Sequence, residues 1–127
     1  MIYLDTSVAL AHLLGETTVP PAALWDEPLV SSRLLEYELW TRVHGRGLSA
    51  SHADEVRQLL GTVALLEMSS LVLARALEPF PVPVRTLDAL HLASMEYLRT
   101  RGEKPRLATY DERLLRAARA LRLAIFE

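Results

Sequence analysis

The chain has 127 residues, which is enough for one domain with a hydrophobic core and too few for two domains of ordinary size. Half of the residues are hydrophobic and 24% are charged, and the net charge of −2 does not predict the basic surface of a strong nucleic-acid binder. Cysteine is absent, which excludes disulfides, thiolate nucleophiles and cysteine-based zinc sites.

The apolar stretches are interrupted by charges or prolines well before the roughly 20 residues that a membrane span needs. The N-terminal segment has no basic region ahead of an apolar run, so it does not resemble a signal peptide. We therefore expect a cytoplasmic protein without a membrane partner.

The first half of the chain predicts two strands and four helices. Residues 1–4 form an apolar run that ends in Asp5, which is typical of a buried strand leading into a capped helix. The predicted elements are a strand at 1–4, a helix at 8–14, a short helix after Pro20 and Pro21, a strand at 29–30, a helix at 33–46 and a helix from Ser49 or Ser51 to residue 60.

The second half continues the alternation of strands and helices. The predicted elements are a strand at 63–68, a helix from 69 to about 78, a proline-rich connector at 79–83, a helix at 87–99 capped by Thr86, a strand at 106–110, a helix at 111–121 and a short final strand at 123–126. This order predicts a single α/β domain over residues 1–127, with a central parallel sheet of about four to five strands flanked by helices.

Three acidic residues stand where a predicted helix begins. Asp5 and Asp111 each follow a strand, and the carboxyl ends of strands are where α/β proteins collect their functional groups. Asp88 lies in the first turn of its helix, where a carboxylate is stabilised by the helix N-terminus. Each of the three is also explained by helix capping alone, so the residues by themselves leave both roles open.

A fourth acid, Glu38, lies in the middle of an apolar helix. Its carboxylate must be solvated, paired with Arg42 one turn later, or turned toward a polar pocket. Glu36 competes with Glu38 for a functional role, and spacing does not separate the two.

Together these acids predict a divalent metal site. Carboxylates gathered at one rim repel each other unless a cation neutralises them, and an oxygen-only ligand set suits Mg²⁺ or Mn²⁺. Such an ion supports hydrolysis of a phosphodiester. Thr6 and Thr109 flank the acids and are expected to orient a carboxylate or a water. His91, three residues after Asp88, is a possible general base, although a buried hydrogen-bonded histidine is the commoner outcome.

Four segments, in this order, resemble the PIN domain and, more narrowly, the VapC-type toxins of toxin–antitoxin modules. These are Met-Ile-Tyr-Leu-Asp5-Thr-Ser, Ser32 followed by Glu38-Leu, Arg-Thr-Leu-Asp88-Ala-Leu-His-Leu-Ala, and Ala-Thr-Tyr-Asp111. The resemblance covers essentially the whole chain, and the last two segments are its most specific part.

The resemblance implies a metal-dependent endoribonuclease that binds Mg²⁺ or Mn²⁺. Asp5, Glu38, Asp88 and Asp111 match the family's four acids, with Asp5, Asp88 and Asp111 as metal ligands, Glu38 orienting the water or completing the cluster, and Glu36 set aside. It also implies a homodimer, an RNA substrate and a VapB-type antitoxin whose C-terminal segment occupies the acidic groove. Trp25 and Trp40 are candidates for partner contacts, and Arg33, Arg46 and Arg85 for contacts with substrate phosphates.

Two other functions agree with parts of the sequence. A receiver-type phosphoacceptor domain also has acids at strand ends, but it needs a lysine near the phosphate. The one lysine, Lys104, falls in the turn before a predicted strand, at the opposite end from the acids. A catalytically silent interaction module, in which the acids only cap helices, is the second alternative.

Overall fold

The protein, described by a computed structural model over residues 1–16 and 18–127, is built on a four-stranded parallel sheet. The strands lie in the order β3-β2-β1-β4, so β1 is central, with Ile2 beside Leu29 on one side and Arg106 on the other. The strands are β1 (Ile2–Leu4), β2 (Leu29–Ser32), β3 (Val63–Leu66) and β4 (Arg106–Ala108). The predicted α/β class with a central parallel sheet is confirmed.

Six α-helices and one short 3₁₀ helix connect and cover the strands in the described part of the chain. They are α1 (Thr6–Leu14), the 3₁₀ helix (Ala22–Asp26), α2 (Leu34–Gly45), α3 (Ser49–Gly61), α4 (Ser70–Ala76), α5 (Thr86–Thr100) and α6 (Glu112–Ala120). Every predicted helix is present within a few residues of its expected limits. One start differs, because Arg85 rather than Thr86 is the cap residue of α5.

The sheet separates two hydrophobic layers because successive strand residues point to opposite faces. Ile2 and Leu4 are fully buried on the face covered by α1, α2 and α3. Tyr3, also fully buried, points to the other face, where α5 and α6 pack. Burial of both faces is the usual state of a parallel sheet and explains the continuous apolar run of β1.

The segment predicted as a final strand at residues 123–126 forms only one isolated bridge, between Leu107 and Ile125. Its hydrogen bonds join Leu107 N to Ala124 O at 2.8 Å and Phe126 N to Leu107 O at 2.9 Å. Arg122, at φ 59°, turns the chain just before this segment, and only Ile125 reaches bridge geometry with β4. The strand prediction was therefore wrong here.

The chain changes direction across the sheet at β1. It passes from β1 to β2 and β3 on one side, whereas β4 pairs on the other side, and such a switch point leaves a crevice at the carboxyl ends of the strands. Asp5 follows β1 and Asp111 follows β4, so both acids reach this crevice. Across the described residues, none of the helices combines the length and apolar character needed to cross a membrane.

Candidate active site

A cleft of about 660 Å³ lies at this carboxyl edge, and all four predicted acids line it. Asp5, Glu38, Asp88 and Asp111 come from four different parts of the chain, and Thr6 lines the same cleft. Thr109 does not line the cleft itself, but its hydroxyl contacts Asp5. The structure thus brings together the four acids and the two threonines that the sequence predicted for the site.

Asp5 caps α1 and faces the cleft at the same time. It is buried, and its Oδ2 accepts hydrogen bonds from Ser7 N at 3.3 Å, Ser7 Oγ at 2.6 Å and Thr109 Oγ1 at 2.8 Å. All of these bonds use one oxygen, so capping leaves Oδ1 without a protein partner among the described residues. The two roles left open by the sequence are compatible.

Thr109 joins Asp5 to Asp111. Its hydroxyl donates to Asp5 Oδ2 and accepts a hydrogen bond from Asp111 N at 2.9 Å. Asp111 in turn caps α6 through Oδ1, which accepts from Arg113 N at 2.9 Å and Leu114 N at 3.2 Å. One hydroxyl therefore fixes the relative position of two of the acids.

Glu38 is held by neighbours on two other elements. Its Oε1 accepts from Thr6 Oγ1 at 2.9 Å and lies 2.7 Å from His91 Nε2. The alternative ion pair with Arg42 does not form within the part of the chain that the structure describes. Glu36 points away and pairs with Arg33 at 3.6 Å, so Glu38 is the glutamate that faces the cleft.

His91 connects Glu38 to the core. Its Nδ1 lies 2.8 Å from the hydroxyl of Tyr3, so both ring nitrogens have partners if Tyr3 donates and Nε2–H donates to Glu38. Burial lowers the pKa of His91, but the bond to Glu38 and the charges of Asp5, Glu38 and Asp88 outweigh it and place the pKa above its ordinary value. His91 is the buried, hydrogen-bonded histidine that the sequence favoured, and it also supports an acid of the cleft.

Asp88 is paired with an arginine that sequence reasoning missed. Asp88 is 5% exposed, and its Oδ2 accepts from Arg85 N at 3.1 Å and from Arg113 Nε at 2.7 Å. Arg113 Nη2 also lies 3.7 Å from Asp111 Oδ2. The hydrogen bond to Asp88 raises the pKa of the Arg113 guanidinium. The only available signal was that Arg113 falls in the first turn after Asp111.

One arrangement recurs at all four acids. Asp5, Glu38 and Asp88 each use one carboxylate oxygen for their anchoring bonds, and the second has no hydrogen-bond partner among the described residues. Asp111 caps through Oδ1 and keeps only the long contact from Arg113 at Oδ2. None of these second oxygens is both unpartnered and fully enclosed by the described protein atoms. The cleft thus presents a set of fixed, solvent-accessible carboxylate oxygens.

This donor set has the chemistry of a hard divalent cation site. Within residues 1–16 and 18–127, no three acidic or histidine side chains lie close enough to form a complete ligand shell. Mg²⁺ commonly takes only one or two carboxylates directly and keeps several waters. The residues therefore fit an ion that is held partly through water.

Positive side chains share the cleft with the acids. Arg42, Arg46 and Arg85 line it, whereas Arg33 lies on the far side of α2 in an ion pair of 2.7 Å with Glu67. Of the three arginines predicted from sequence as phosphate contacts, Arg46 and Arg85 line the cleft and Arg33 does not. Arg42 also lines the cleft, although the sequence did not suggest it as a phosphate contact.

Lys104 precedes β4, at the end of the strand away from the acids, as expected. The geometry does not favour a receiver-type site.

The two tryptophans are half-buried and pack against the hydrophobic cluster beside α1 and α2. Trp25 contacts the ring of His12, and Trp40 stacks on His44. Several exposed leucines lie instead on and just after α4, where Leu71 and Leu77 are 63% and 89% exposed.

Comparisons with known proteins agree on one family. The model of the PIN domain matches residues 2–120. The chain is 34% identical over 127 residues to Ribonuclease VapC46 of Mycobacterium tuberculosis, with 98% of this chain and 95% of that protein covered. It is 31% identical to Ribonuclease VapC35 of the same species, with the same coverage. It is also 31% identical to Ribonuclease VapC47, with 94% and 90% covered.

Proposed function

Because this chain belongs to the PIN-domain family, we propose that it is an endoribonuclease that acts as the toxin of a VapBC-type toxin–antitoxin module. The observation that carries the proposal is the set of four acids that line a common cleft, each anchored by hydrogen bonds to one of its two carboxylate oxygens. The names of the similar proteins, ribonucleases over nearly the full length of this chain, support the choice of RNA as substrate.

The proposed cofactor is Mg²⁺ or Mn²⁺, held by Asp5, Asp88 and Asp111 in part through water molecules. When bound, such an ion polarises the phosphoryl oxygen and stabilises the departing oxygen. The anchoring bonds from Ser7 and Thr109 hold the Asp5 carboxylate in place before the ion arrives. Partners of this kind usually matter for both metal affinity and activity.

Glu38 has a different role in this proposal. Thr6 and His91 fix Oε1, so the carboxylate is oriented while Oε2 remains available to accept a hydrogen bond. In that position Glu38 orients the water that attacks phosphorus and accepts its proton. A new bond forms between the water oxygen and phosphorus as one P–O bond of the RNA backbone breaks.

Helix α2 also offers contacts for the rest of the substrate. Glu38, Arg42 and Arg46 recur every four residues and all line the cleft, so they form one stripe along the helix. Each step along this stripe is about 6 Å, from a rise of 1.5 Å per residue. We assign Arg42 and Arg46 to phosphates that flank the cleaved bond, with Arg85 on the neighbouring helix.

The assembly is part of the same proposal. A homodimer and a VapB-type antitoxin would both need apolar contact surface, and the exposed leucines around α4 are the candidates: Leu71, Leu73 and Leu77. A basic antitoxin segment could place an arginine among the carboxylates of the cleft, where its positive charge would replace that of the metal ion. We place the protein in the cytoplasm, where RNA and a co-produced antitoxin are found.

Cleavage of RNA by the purified protein tests the catalytic proposal. We expect cleavage with Mg²⁺ or Mn²⁺ and none in EDTA, and we expect Asp5→Asn and Asp88→Asn each to abolish it. Asp54→Asn is the matched control, because Asp54 is exposed on α3 outside the cleft. Cleavage that persists in EDTA would sink the metal mechanism.

The toxin role needs a separate measurement in cells. Expression in a bacterial host should slow growth, and Asp5→Asn should relieve the effect at equal protein level. Growth inhibition that survives the substitution would remove the nuclease from the explanation. A neighbouring reading frame that encodes a DNA-binding antitoxin would support the module.

A further inference from the structure

Arg113 occupies a position that is unfavourable unless its neighbours compensate. It lies in the first turn of α6, where the helix dipole favours negative charge and disfavours a cation. Its guanidinium nevertheless turns back over the helix start, with Nε 2.7 Å from Asp88 Oδ2 and Nη2 3.7 Å from Asp111 Oδ2. The two carboxylates account for this placement.

The two carboxylates, Asp88 and Asp111, in turn depend on Arg113 for charge neutralisation. The Asp88 side chain is only 7% exposed, and an ionised carboxylate at that depth requires a partner. Among the described residues, Arg113 is the one cationic side chain within 4 Å of the Asp88 carboxylate, and it is also the one within 4 Å of the Asp111 carboxylate. One side chain therefore neutralises two acids that the proposed function assigns to a metal ion.

We propose that Arg113 is the protein's own counter-ion for Asp88 and Asp111, and that it competes with the divalent cation for this pair. The inference rests on the proposed function, because it concerns the same carboxylates. Arg113 keeps the acids together in the metal-free protein. A metal ion bound through the free Asp88 Oδ1 and through Asp111 would lie beside the guanidinium, so the two cations compete for the charge of the same carboxylates.

The direction of the effect distinguishes this role from a structural salt bridge. A guanidinium and a divalent cation on the same carboxylates repel each other, so removal of the guanidinium strengthens metal binding. At separations of a few ångströms in a solvated cleft, we expect roughly a tenfold or larger gain in affinity. A merely structural arginine would have the opposite effect, because its loss would leave Asp88 disordered.

Titration calorimetry with Mn²⁺ on the full-length protein provides the test. Arg113→Met should bind Mn²⁺ about tenfold more tightly than the unsubstituted protein. In EDTA the same variant should melt at a lower temperature than the unsubstituted protein. Saturating Mn²⁺ should raise the melting temperature of the variant by more than it raises that of the unsubstituted protein. Arg113→Gln, which keeps a hydrogen-bond donor without the charge, serves if the methionine variant does not fold.

Arg116→Met is the matched control. It removes the same charge from the same helix at an exposed position outside the cleft, so its Mn²⁺ affinity should equal that of the unsubstituted protein. Equal or weaker Mn²⁺ binding by the Arg113 variants would overturn the inference. Asp88→Asn separates this failure from failure of the metal site itself. If Asp88→Asn binds Mn²⁺ normally, or if the unsubstituted protein binds none, the proposed metal site fails and this inference fails with it.

Discussion

The four acids of the cleft are held by neighbours of different chemistry. Hydroxyls anchor Asp5, a hydroxyl and an imidazole anchor Glu38, a guanidinium and a backbone amide anchor Asp88, and the amides of α6 anchor Asp111. A carboxylate that already accepts fixed hydrogen bonds does not have to be ordered when a ligand binds, which lowers the cost of binding. Activity should therefore depend on the hydroxyl and amide anchors as well as on the acids, whereas the guanidinium at Asp88 also repels the metal ion.

Thr109→Val tests this dependence. It removes the hydroxyl that donates to Asp5 and accepts from Asp111 N while keeping the size of the side chain. We expect RNA cleavage to fall about 10- to 100-fold, with a loss of unfolding free energy of about 1–2 kcal/mol because an amide loses its acceptor. Thr109→Ser should restore most of the activity.

Thr62→Val is the control for Thr109. Thr62 also uses its hydroxyl in a hydrogen bond, to Leu59 O at 2.7 Å, but it lies at the end of α3 outside the cleft. This variant should lose stability and keep its cleavage rate. Equal activity losses in both valine variants would contradict a specific role for Thr109.

His91 predicts a pH dependence of stability. Its pKa in the folded protein lies above the ordinary value, so the folded state binds the proton more tightly than the unfolded state does. The stabilisation is fully present below the unfolded pKa of about 6.5 and is lost as the pH rises through the folded pKa. In EDTA, the difference in unfolding free energy between the protein and His91→Gln should be larger at pH 6 than at pH 9.

Chemical denaturation at the two pH values measures this difference directly. His44→Gln, which removes an exposed histidine on α2, is the matched substitution. A His91 effect of the same size at both pH values would show that the imidazole stabilises the fold through packing and neutral hydrogen bonds only.

Local sequence signals predicted most elements because their causes are local. Capping residues, prolines and apolar periodicity lie within a few positions of the helix ends that they determine, and the helices α1 to α6 all appeared where they were expected. The segment at 123–126 was misassigned because an apolar run indicates burial, while ladder formation depends on the length and path of the neighbouring strand. Its single bridge depends on Leu107, which is distant in sequence.

The ends of the helices provide a prediction at the same scale. Gly15 ends α1 in a left-handed conformation, with φ 62°, and its amide bonds to Ala11 O. A methyl group added at Gly15 would meet no atom within 4 Å, so the cost of Gly15→Ala is conformational. We expect a loss of about 1 kcal/mol in unfolding free energy.

Gly45→Ala is the matched variant for Gly15. It also meets no atom within 4 Å, but Gly45 closes the helix α2 without a positive φ. Alanine should be neutral or stabilising there, by up to about 1 kcal/mol. Thermal unfolding of both variants measures the contrast, and a similar loss at both sites would point to a cause other than backbone conformation.

The site is a property of the whole chain, and this limits what sequence could predict about it. Asp5 and Asp111 were predictable because both follow strands, but their distance depends on β1 and β4 being neighbours in the sheet. The family resemblance, rather than spacing, selected Glu38 over Glu36. The Arg113–Asp88 bond depends on how α6 lies beside α5, and the His91–Glu38 bond on how α5 meets α2, and no local pattern encodes either arrangement.

The domain organisation can be tested at this same scale. We propose that residues 1–127 form one folding unit, because β1 contributes to both hydrophobic layers: Ile2 and Leu4 to one, Tyr3 to the other. A cavity on either side of the sheet should then destabilise the entire molecule. Leu35→Ala and Leu92→Ala, at fully buried positions in the two layers, should each cost about 2–5 kcal/mol.

The two tryptophans make the test specific to one side. Trp25 and Trp40 both pack against the layer that contains Leu35, so their fluorescence reports on that face of the sheet. Leu92→Ala lies in the other layer, yet it should lower the fluorescence midpoint in urea as far as the midpoint measured by circular dichroism, because a single cooperative unit unfolds as a whole. Leu77→Ala, at an exposed position, should leave both midpoints unchanged. If Leu92→Ala shifted only the circular dichroism midpoint, the two layers would be independent folding units and the single-domain proposal would be wrong.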